Sequence, residues 1–301
     1  MKKIIWTILD GKRGHEKQIE DLVFCLKKEN DLKIIKINSN NLLKVILNSF
    51  TDYFDKCKNY PKPNLIIGAG HSTHFDILQK KMRYGGKAII IMKPSLPASL
   101  FDLVIAPYHD QIIFKENIFI TDGPVNRIIN RKKQIKNKAL ILIGGPSKNY
   151  IWNNHDINMS IKKVLYNNSQ LKFTIGTSRR TPAKFLKNFN TGKENKIKLV
   201  DHRAVSTRWL EEEISKSEFS WVTQDSISMV YELIASGSKV TCIALESKNK
   251  KFDKLYESLY KSKVINLTNQ PIQKIIFKEN QKSNATLCAD FISNKFLLNE
   301  K

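Results

Sequence analysis

The chain contains 301 residues, which is enough for two domains of about 150 residues each. Hydrophobic residues make up 41% of it and charged residues 26%, which is typical of a globular protein and excludes disordered, collagenous and disulfide-stabilised chains. The apolar run at residues 4–9 is too short to span a membrane, and Asp10 ends it before a signal-peptide core could form. The four cysteines are widely spaced, so we predict a cytoplasmic protein with no metal and no cofactor.

The chain is strongly basic, because 51 lysines and arginines oppose 28 acidic residues and leave a net charge of +23. The excess is spread over the whole chain, and 43 of the 51 basic residues are lysines, which indicates a compositional bias. Attraction to an anionic membrane surface is the alternative interpretation. No basic–aromatic motif typical of nucleic-acid binding occurs, so we expect no nucleic-acid partner.

Short apolar strands alternate with helices in both halves of the chain. The first half predicts a helix over 16–28 and strands at 3–9, 32–37, 64–68, 88–92, 103–106 and 118–121. The charged stretch 130–138 predicts a linker. Strands then follow at 139–143, 171–176, 196–200, 219–222 and 239–243, with helices at 156–166, 227–236 and 285–298. Uniformly apolar strands separated by helices favour parallel sheets that are covered on both faces.

We therefore predict an α/β fold with two Rossmann-like domains that face a central cleft. The first domain spans 1–135 and the second 136–280, while 281–301 forms a closing helix that could pack back on the first domain. Both domains open with a buried strand that runs into a glycine-containing turn. Ligands of such sheets bind beyond the carboxyl ends of the strands, where helix N-termini present unpaired N–H groups.

The first half offers two catalytic candidates. The turn DGKRGH after the first strand contains Gly11 and Gly14, which let the backbone approach a ligand, and ends in His15. His15 could act as a base or bind an acceptor hydroxyl, or it could be an exposed side chain of a structural turn. Asp110 follows a later buried strand beside His109, and it too could reach a cleft or serve only the turn.

Two turns of the second half are candidates for anion binding. The turn TSRRTP contains Ser178, Arg179 and Arg180, whose guanidinium groups suit bidentate contacts with phosphate oxygens, although a solvated surface pair is the alternative. Three residues at the end of another strand could offer backbone N–H groups to a phosphate: Gly144, Gly145 and Ser147.

A hydroxyl-rich turn, TQDSISM, leads into a predicted helix. The hydroxyls of Ser226 and Ser228 would lie at the helix N-terminus, where the dipole favours a diphosphate, and Glu232 could accept both hydroxyls of a ribose. A helix cap formed by Asp225 or Ser226 is the alternative, and it is compatible with binding. Met229 ends the turn and completes the candidate set.

These motifs resemble the mitochondrial fission (elongated mitochondria) family. The most specific blocks are the SRRTP turn and the DSISM turn followed by Glu232. The turn that ends in His15, the PYHD turn that ends in Asp110 and the Gly144-Gly145 pair follow in the family's order, and the likeness covers residues 4–245. This family is similar in turn to GT-B glycosyltransferases, which implies a GT-B-like fold.

The resemblance implies that His15 lies in an acceptor loop, and that Ser226, Ser228 and Glu232 hold a nucleotide sugar. The expected function is metal-independent transfer of a sugar from a nucleotide diphosphate, of the UDP type, to an envelope lipid or glycan, with His15 or Asp110 as the base. The alternatives are a non-catalytic membrane-associated interaction protein and a nucleotide-sugar epimerase. The apolar segment 41–54 could be an interfacial helix at the inner membrane or a core helix, and the GSKV sequence at 237–240 departs from the Gly-x-Pro of the transferases.

Overall fold

The computed structural model describes residues 2–39, 56–127, 134–183, 185, 197–276 and 282–298. The chain divides into two compact units, of which the first combines Met1–Arg127 with Lys282–Lys301 and the second is Ile128–Gln281. This division lies a few residues before the boundary predicted at 135. The segment 41–54 lies outside the described residues. In the described part of the chain, no helix has both the length and the hydrophobicity needed to cross a bilayer.

The first unit is built on a six-stranded parallel sheet in the order β2-β1-β3-β4-β5-β6. Its strands are β1 (Lys3–Leu9), β2 (Leu32–Asn38), β3 (Leu65–Ala69), β4 (Lys87–Ile91), β5 (Leu103–Pro107) and β6 (Ile118–Thr121). Its helices are α1 (Arg13–Glu29), α2 (His74–Tyr84) and, from the end of the chain, α7 (Asn284–Ile292).

Alternate residues of these strands pack on opposite faces of the sheet. Ile5 packs with Leu22 of α1 and Ala289 of α7 on one face, whereas Trp6 packs with Ile77 of α2 on the other. Since β3 is buried at every position, both faces of the sheet are covered, which confirms what the uniformly apolar strands predict.

The last helix is capped at its start and is joined to the end of the first helix by a side-chain hydrogen bond. Ser283 caps α7 by accepting the N–H of Thr286 at 3.1 Å. Asn30, at the end of α1, donates to the hydroxyl of Ser293 at 2.9 Å. The end of the chain therefore belongs to the core of the first unit.

The second unit holds another six-stranded parallel sheet, in the order β12-β11-β10-β7-β8-β9. Its strands are β7 (Ile135–Ile143), β8 (Lys172–Thr177), β9 (Ile197–Val200), β10 (Ser217–Thr223), β11 (Lys239–Ile243) and β12 (Asn266–Leu267). Its helices are α3 (Asn154–Asn167), α4 (Thr207–Lys216), α5 (Ile227–Ala235) and α6 (Lys250–Lys261).

The strand β7 begins inside the stretch predicted as a linker, so that prediction is wrong for residues 135–138. Ile135 pairs with Ser217, and the N–H of Asn137 donates to the carboxylate of Glu218 at 2.9 Å. The first residues of β7 are exposed, so they carry no apolar pattern that would indicate a strand.

The strand order reverses once in each sheet. In the first sheet β1 lies between β2 and β3, and in the second β7 lies between β8 and β10. The connections diverge at such a reversal, and α/β proteins commonly bind ligands there, at the carboxyl ends of the strands.

Candidate functional site

The carboxyl edge of the first sheet holds an aspartate–histidine pair. Asp10 follows β1, and its Oδ2 atom lies 2.9 Å from Nδ1 of His15, which is in the first turn of α1. Ser72, in the turn after β3, donates its hydroxyl to the same oxygen at 2.7 Å. One carboxylate, whose side chain is only 2% exposed, therefore joins the two turns at the strand reversal.

The ring of His15 is packed against the backbone of the turn after β3. Gly70 has a φ of +80°, and a Cβ at this position would lie 2.3 Å from Cε1 of His15. Only glycine permits this approach. Beside Gly11 and Gly14, in contrast, no described atom lies within 4 Å of an ideal Cβ, so space is open to a ligand there.

The surroundings of Asp10 keep it ionised at neutral pH. Burial alone would raise its pKa, but hydrogen bonds from Ser72, His15 and the N–H of Lys12 hold that pKa below its ordinary value. An ionised Asp10 favours the tautomer of His15 with the proton on Nδ1, which leaves a lone pair on Nε2. The side chain of His15 is 18% exposed, so the ring is not sealed from a substrate.

Asp110 lies at the same edge but within other contacts. It ends a short helical turn after β5, where its Oδ2 accepts the N–H of Lys93 at 3.4 Å and its Oδ1 lies 3.9 Å from Nε2 of His109. The strand β4 separates β5 from β3. Asp110 therefore belongs to the β4–β5 part of the edge, and the oriented imidazole belongs to the β1–β3 part.

Three turns meet at the carboxyl edge of the second sheet. Ser178, after β8, donates its hydroxyl to the carbonyl of Gly144 at 2.9 Å, and Thr181 donates to the carbonyl of Ile143 at 2.9 Å. The N–H of Gly144 in turn donates to the hydroxyl of Thr223, at the end of β10, at 2.8 Å. The fold thus brings candidates from separate parts of the sequence together.

Arg180 and Asp225 form an ion pair between these turns. An Nη2–Oδ2 distance of 2.7 Å joins them, with the Asp225 side chain fully buried and that of Arg180 41% exposed. The N–H of Gly145 also donates to Oδ2 of Asp225, at 3.0 Å. Burial raises the pKa of Asp225, and the hydrogen bonds from Thr223 and Gly145 and the charge of Arg180 oppose it only in part.

The two adjacent arginines differ in what they contact. Arg180 donates to the carbonyl of Gly145 at 3.0 Å in addition to its ion pair. Arg179 is exposed and makes no hydrogen bond or ion pair with any other described residue. Arg179 is therefore the arginine of this turn whose charge is available to an anion.

The first turn of α5 presents unoccupied donors. Ser226 is the N-cap residue but makes no side-chain cap hydrogen bond, and the carboxylate of Asp225 is used in the ion pair, so the predicted alternative of a helix cap is wrong. Ser228 is exposed in this first turn. The N–H groups at a helix start lack intrahelical partners, and the helix dipole favours an anion beside them.

Three other candidates occupy less prominent positions. The side chain of Met229 is partly buried and packs against the core of the second unit. Glu232 is half-buried on α5. The hydroxyl of Ser147 accepts the N–H of Asn149 at 3.3 Å and thereby shapes the turn after β7.

Sequence reasoning missed several side chains that assemble these two edges. Asp10, Thr181 and Thr223 stand inside motifs that the sequence singles out, and Ser72 lies in the turn after β3. Their contacts depend on which turns are neighbours in the fold. The role of Asp10 could have been predicted, because it directly follows an apolar strand and stands five residues before His15.

One curated relative is similar to this chain over most of its length. The uncharacterized protein RP120 of Rickettsia prowazekii (strain Madrid E) is 23% identical, with 89% of this chain and 91% of the relative covered.

The fold is similar to that of two solved enzyme structures. UDP-GlcNAc 2-epimerase from Methanocaldococcus jannaschii superposes with a TM-score of 0.57 at 13% identity, covering 98% of this chain and 100% of that chain. UGT2 of Phytolacca americana, complexed with UDP-2fluoro-glucose and pterostilbene, superposes with a TM-score of 0.54 at 8% identity, covering 99% and 91%. At such identities the likeness shows the fold, which is of the GT-B type.

The family model for mitochondrial fission ELM1 matches residues 13–296, a span that reaches from the first residue of α1 to four residues beyond the end of α7. This match includes His15, the SRRTP turn and the DSISM turn, and it covers most of the chain. The chain therefore belongs to the mitochondrial fission ELM1 family.

Proposed function

We propose that this chain is a metal-independent GT-B glycosyltransferase, which transfers a sugar from a nucleotide diphosphate of the UDP type to an envelope lipid or glycan. The observation that carries the proposal is the oriented base, since Asp10 holds His15 at the strand reversal of the first sheet. The fold supports it, because a structure with the same architecture is complexed with UDP-2fluoro-glucose.

The second unit would bind the donor. A diphosphate matches the first turn of α5, where Ser226 and Ser228 offer hydroxyls and the helix dipole favours negative charge. Arg179 would stabilise the charge that develops on the leaving diphosphate, which removes the need for a metal ion. Glu232 would accept the hydroxyls of the ribose. Gly144 and Gly145 would let the backbone approach the phosphates.

The first unit would bind the acceptor. Nε2 of His15 takes the proton of the acceptor hydroxyl while the oxygen of that hydroxyl forms a bond with the anomeric carbon of the sugar. The bond from that carbon to the diphosphate oxygen breaks, and its electron pair leaves with the diphosphate. Asp10 stabilises the imidazolium that forms. Asp110 is the alternative base for an acceptor bound at the β4–β5 part of the edge.

We further propose that the enzyme works at the cytoplasmic face of the inner membrane as a peripheral protein, because a net charge of +23 complements anionic lipid. Two other functions are compatible with the fold. A non-catalytic interaction protein would have no need of the Asp10–His15 pair. An epimerase, the activity named for the Methanocaldococcus structure, would need acid and base groups on both sides of C2 of the sugar.

Calorimetric titration with UDP tests the donor site. Replacing Arg179 with alanine should weaken binding about 10- to 100-fold, since a hydrogen bond to a charged group contributes ~1.5–3 kcal/mol. Arg208→Ala is the matched control, because Arg208 lies on α4 of the same unit and its side chain is 88% exposed. An unmodified protein that does not bind UDP, or equal losses in the two variants, would contradict this site.

Incubation of UDP-sugars with a membrane lipid extract separates the three functions. A transferase should release UDP only when the extract is present, and Asp10→Asn should slow the release. Deuterium incorporation at C2 in heavy water would instead identify an epimerase. Neither UDP release nor exchange over a panel of UDP-sugars would favour the non-catalytic protein.

A further inference from the structure

Three large apolar side chains are exposed on one short loop of the first unit. The loop connects β5 to β6, and on it Tyr108 is 76% exposed, Ile113 82% and Phe114 71%. Single exposed apolar residues are ordinary at protein surfaces, as with Met82, which is 87% exposed on α2. Three on one loop form a patch, and exposed apolar patches commonly mark interaction sites.

The base of this loop is held by hydrogen bonds. Asn117 donates to the carbonyls of Ala98 and Phe101, in the turn between β4 and β5, at 2.8 and 2.9 Å. Nζ of Lys93 donates to the carbonyl of Gln111 at 3.2 Å. Ile112 packs against the core, whereas its neighbour Ile113 is turned outward. The exposed side chains are therefore presented by a loop whose ends are fixed to the sheet.

The size of the patch and the net charge of the chain favour a lipid surface over a protein partner. Three side chains of this kind offer on the order of 500 Å², whereas each partner of a stable protein complex buries about 800 Å². Lipid binding needs fewer apolar groups when electrostatic attraction adds to them. Around the patch the two lysines, Lys93 and Lys115, balance the two acidic residues, Asp110 and Glu116. The attraction to anionic lipid therefore comes from the chain as a whole, which carries a net charge of +23.

We propose that the docking loop, residues 108–116, inserts Tyr108, Ile113 and Phe114 into the boundary between headgroups and acyl chains of an anionic bilayer. The lysines stay at the level of the headgroups. Because all strands of the sheet are parallel, the docking loop lies at the edge that also carries His15. Docking then brings that edge to the membrane, and if the proposed function holds, the acceptor is a lipid that the bilayer presents.

A fluorescent label on the docking loop tests this directly. All four native cysteines are buried, so bimane should react selectively with a new thiol in Ile113→Cys. Met82→Cys on α2 is the matched control. With vesicles of phosphatidylglycerol and phosphatidylethanolamine, the label at 113 should shift to the blue and be quenched by doxyl-labelled lipid, while the label at 82 does not change. No shift at 113, equal shifts at both positions, or a lipid-free shift that grows with protein concentration would overturn the proposal.

Vesicle flotation supplies the second measurement. The double variant Ile113→Asp with Phe114→Asp should reduce the bound fraction about tenfold, because carboxylates at these positions would have to enter the apolar boundary. Met82→Asp should float like the unmodified chain, and equal losses in both would refute the docking loop. UDP titration of the same preparations in the absence of lipid keeps the two proposals apart. Flotation without UDP binding would refute the transferase alone, and UDP binding without flotation would refute docking alone.

Discussion

Replacing Arg180 with alanine should destabilise the second unit, because it leaves the buried carboxylate of Asp225 without its cation. At 2.7 Å and an effective dielectric constant of about 20, the attraction is ~6 kcal/mol before any correction. Arg180 is 41% exposed, so solvent screens part of this energy, and Asp225 keeps the N–H of Gly145. We therefore expect a loss of about 2–4 kcal/mol at pH 7.

The loss should shrink in acid. The folded-state pKa of Asp225 is raised by burial, so its ionisation weakens folding as the pH rises through that pKa. Removal of Arg180 takes away a cation that lowers this pKa, so the pKa rises further in the variant. Below the unfolded-state pKa of about 4, Asp225 is protonated in the unmodified protein and in the variant, so their free energies of unfolding should no longer differ on this account.

Urea unfolding followed by tryptophan fluorescence measures the effect, since Trp221 lies on β10 directly before the Asp225 turn. Arg179→Ala is the control, and it should change the free energy of unfolding by less than about 0.5 kcal/mol because Arg179 is exposed. Adding Asp225→Asn to the Arg180 variant should restore most of the loss. Equal losses for the two arginines, or a loss that does not depend on pH, would refute the reasoning.

Three further substitutions and one control probe the two edges. Asp10→Asn should slow UDP-sugar turnover about 100-fold without changing UDP affinity, since it removes the partner that orients His15; unchanged turnover in a kinetic assay would contradict this role. Gly70→Ala should cost about 2–4 kcal/mol in urea unfolding, because φ is +80° and the new Cβ would overlap the ring of His15. Gly144→Ala should destabilise the second unit and weaken UDP binding, because a Cβ there would lie 2.1 Å from a carboxylate oxygen. Gly14→Ala is the control: its Cβ would meet open space and alanine favours a helix, so in parallel titrations the free energy of unfolding should stay the same or rise by up to about 1 kcal/mol.

The sheets could be predicted from sequence wherever burial is uniform. The strand β3 is buried at all positions and reads as an unbroken apolar run, and the core strands of both units are of this kind. The start of β7 could not be predicted, because its exposed residues pair through backbone bonds that leave no apolar pattern. The sequence analysis assigns neither α4 nor α6, although the signal for α6 is present, because its apolar residues recur at the spacing of an amphipathic helix, at 252, 255, 256, 259 and 260.

The candidate turns could be predicted from sequence, but their internal contacts could not. The pairing of His15 with Asp10 depends on a positive φ at Gly70, which lies on another strand's turn. The difference between Arg179 and Arg180 likewise depends on Asp225, which approaches from β10. A single sequence shows which residues lie in the same turn. It does not show which turns become neighbours in the fold, and these contacts depend on that.

The most direct test of the central claim is a crystal structure of the protein with UDP bound. We expect the diphosphate at the first turn of α5, about 3 Å from the N–H of Ser228, with the guanidinium group of Arg179 in contact and the Arg180–Asp225 pair unchanged. UDP bound away from this edge, or no UDP in crystals soaked at saturating concentration, would contradict the account.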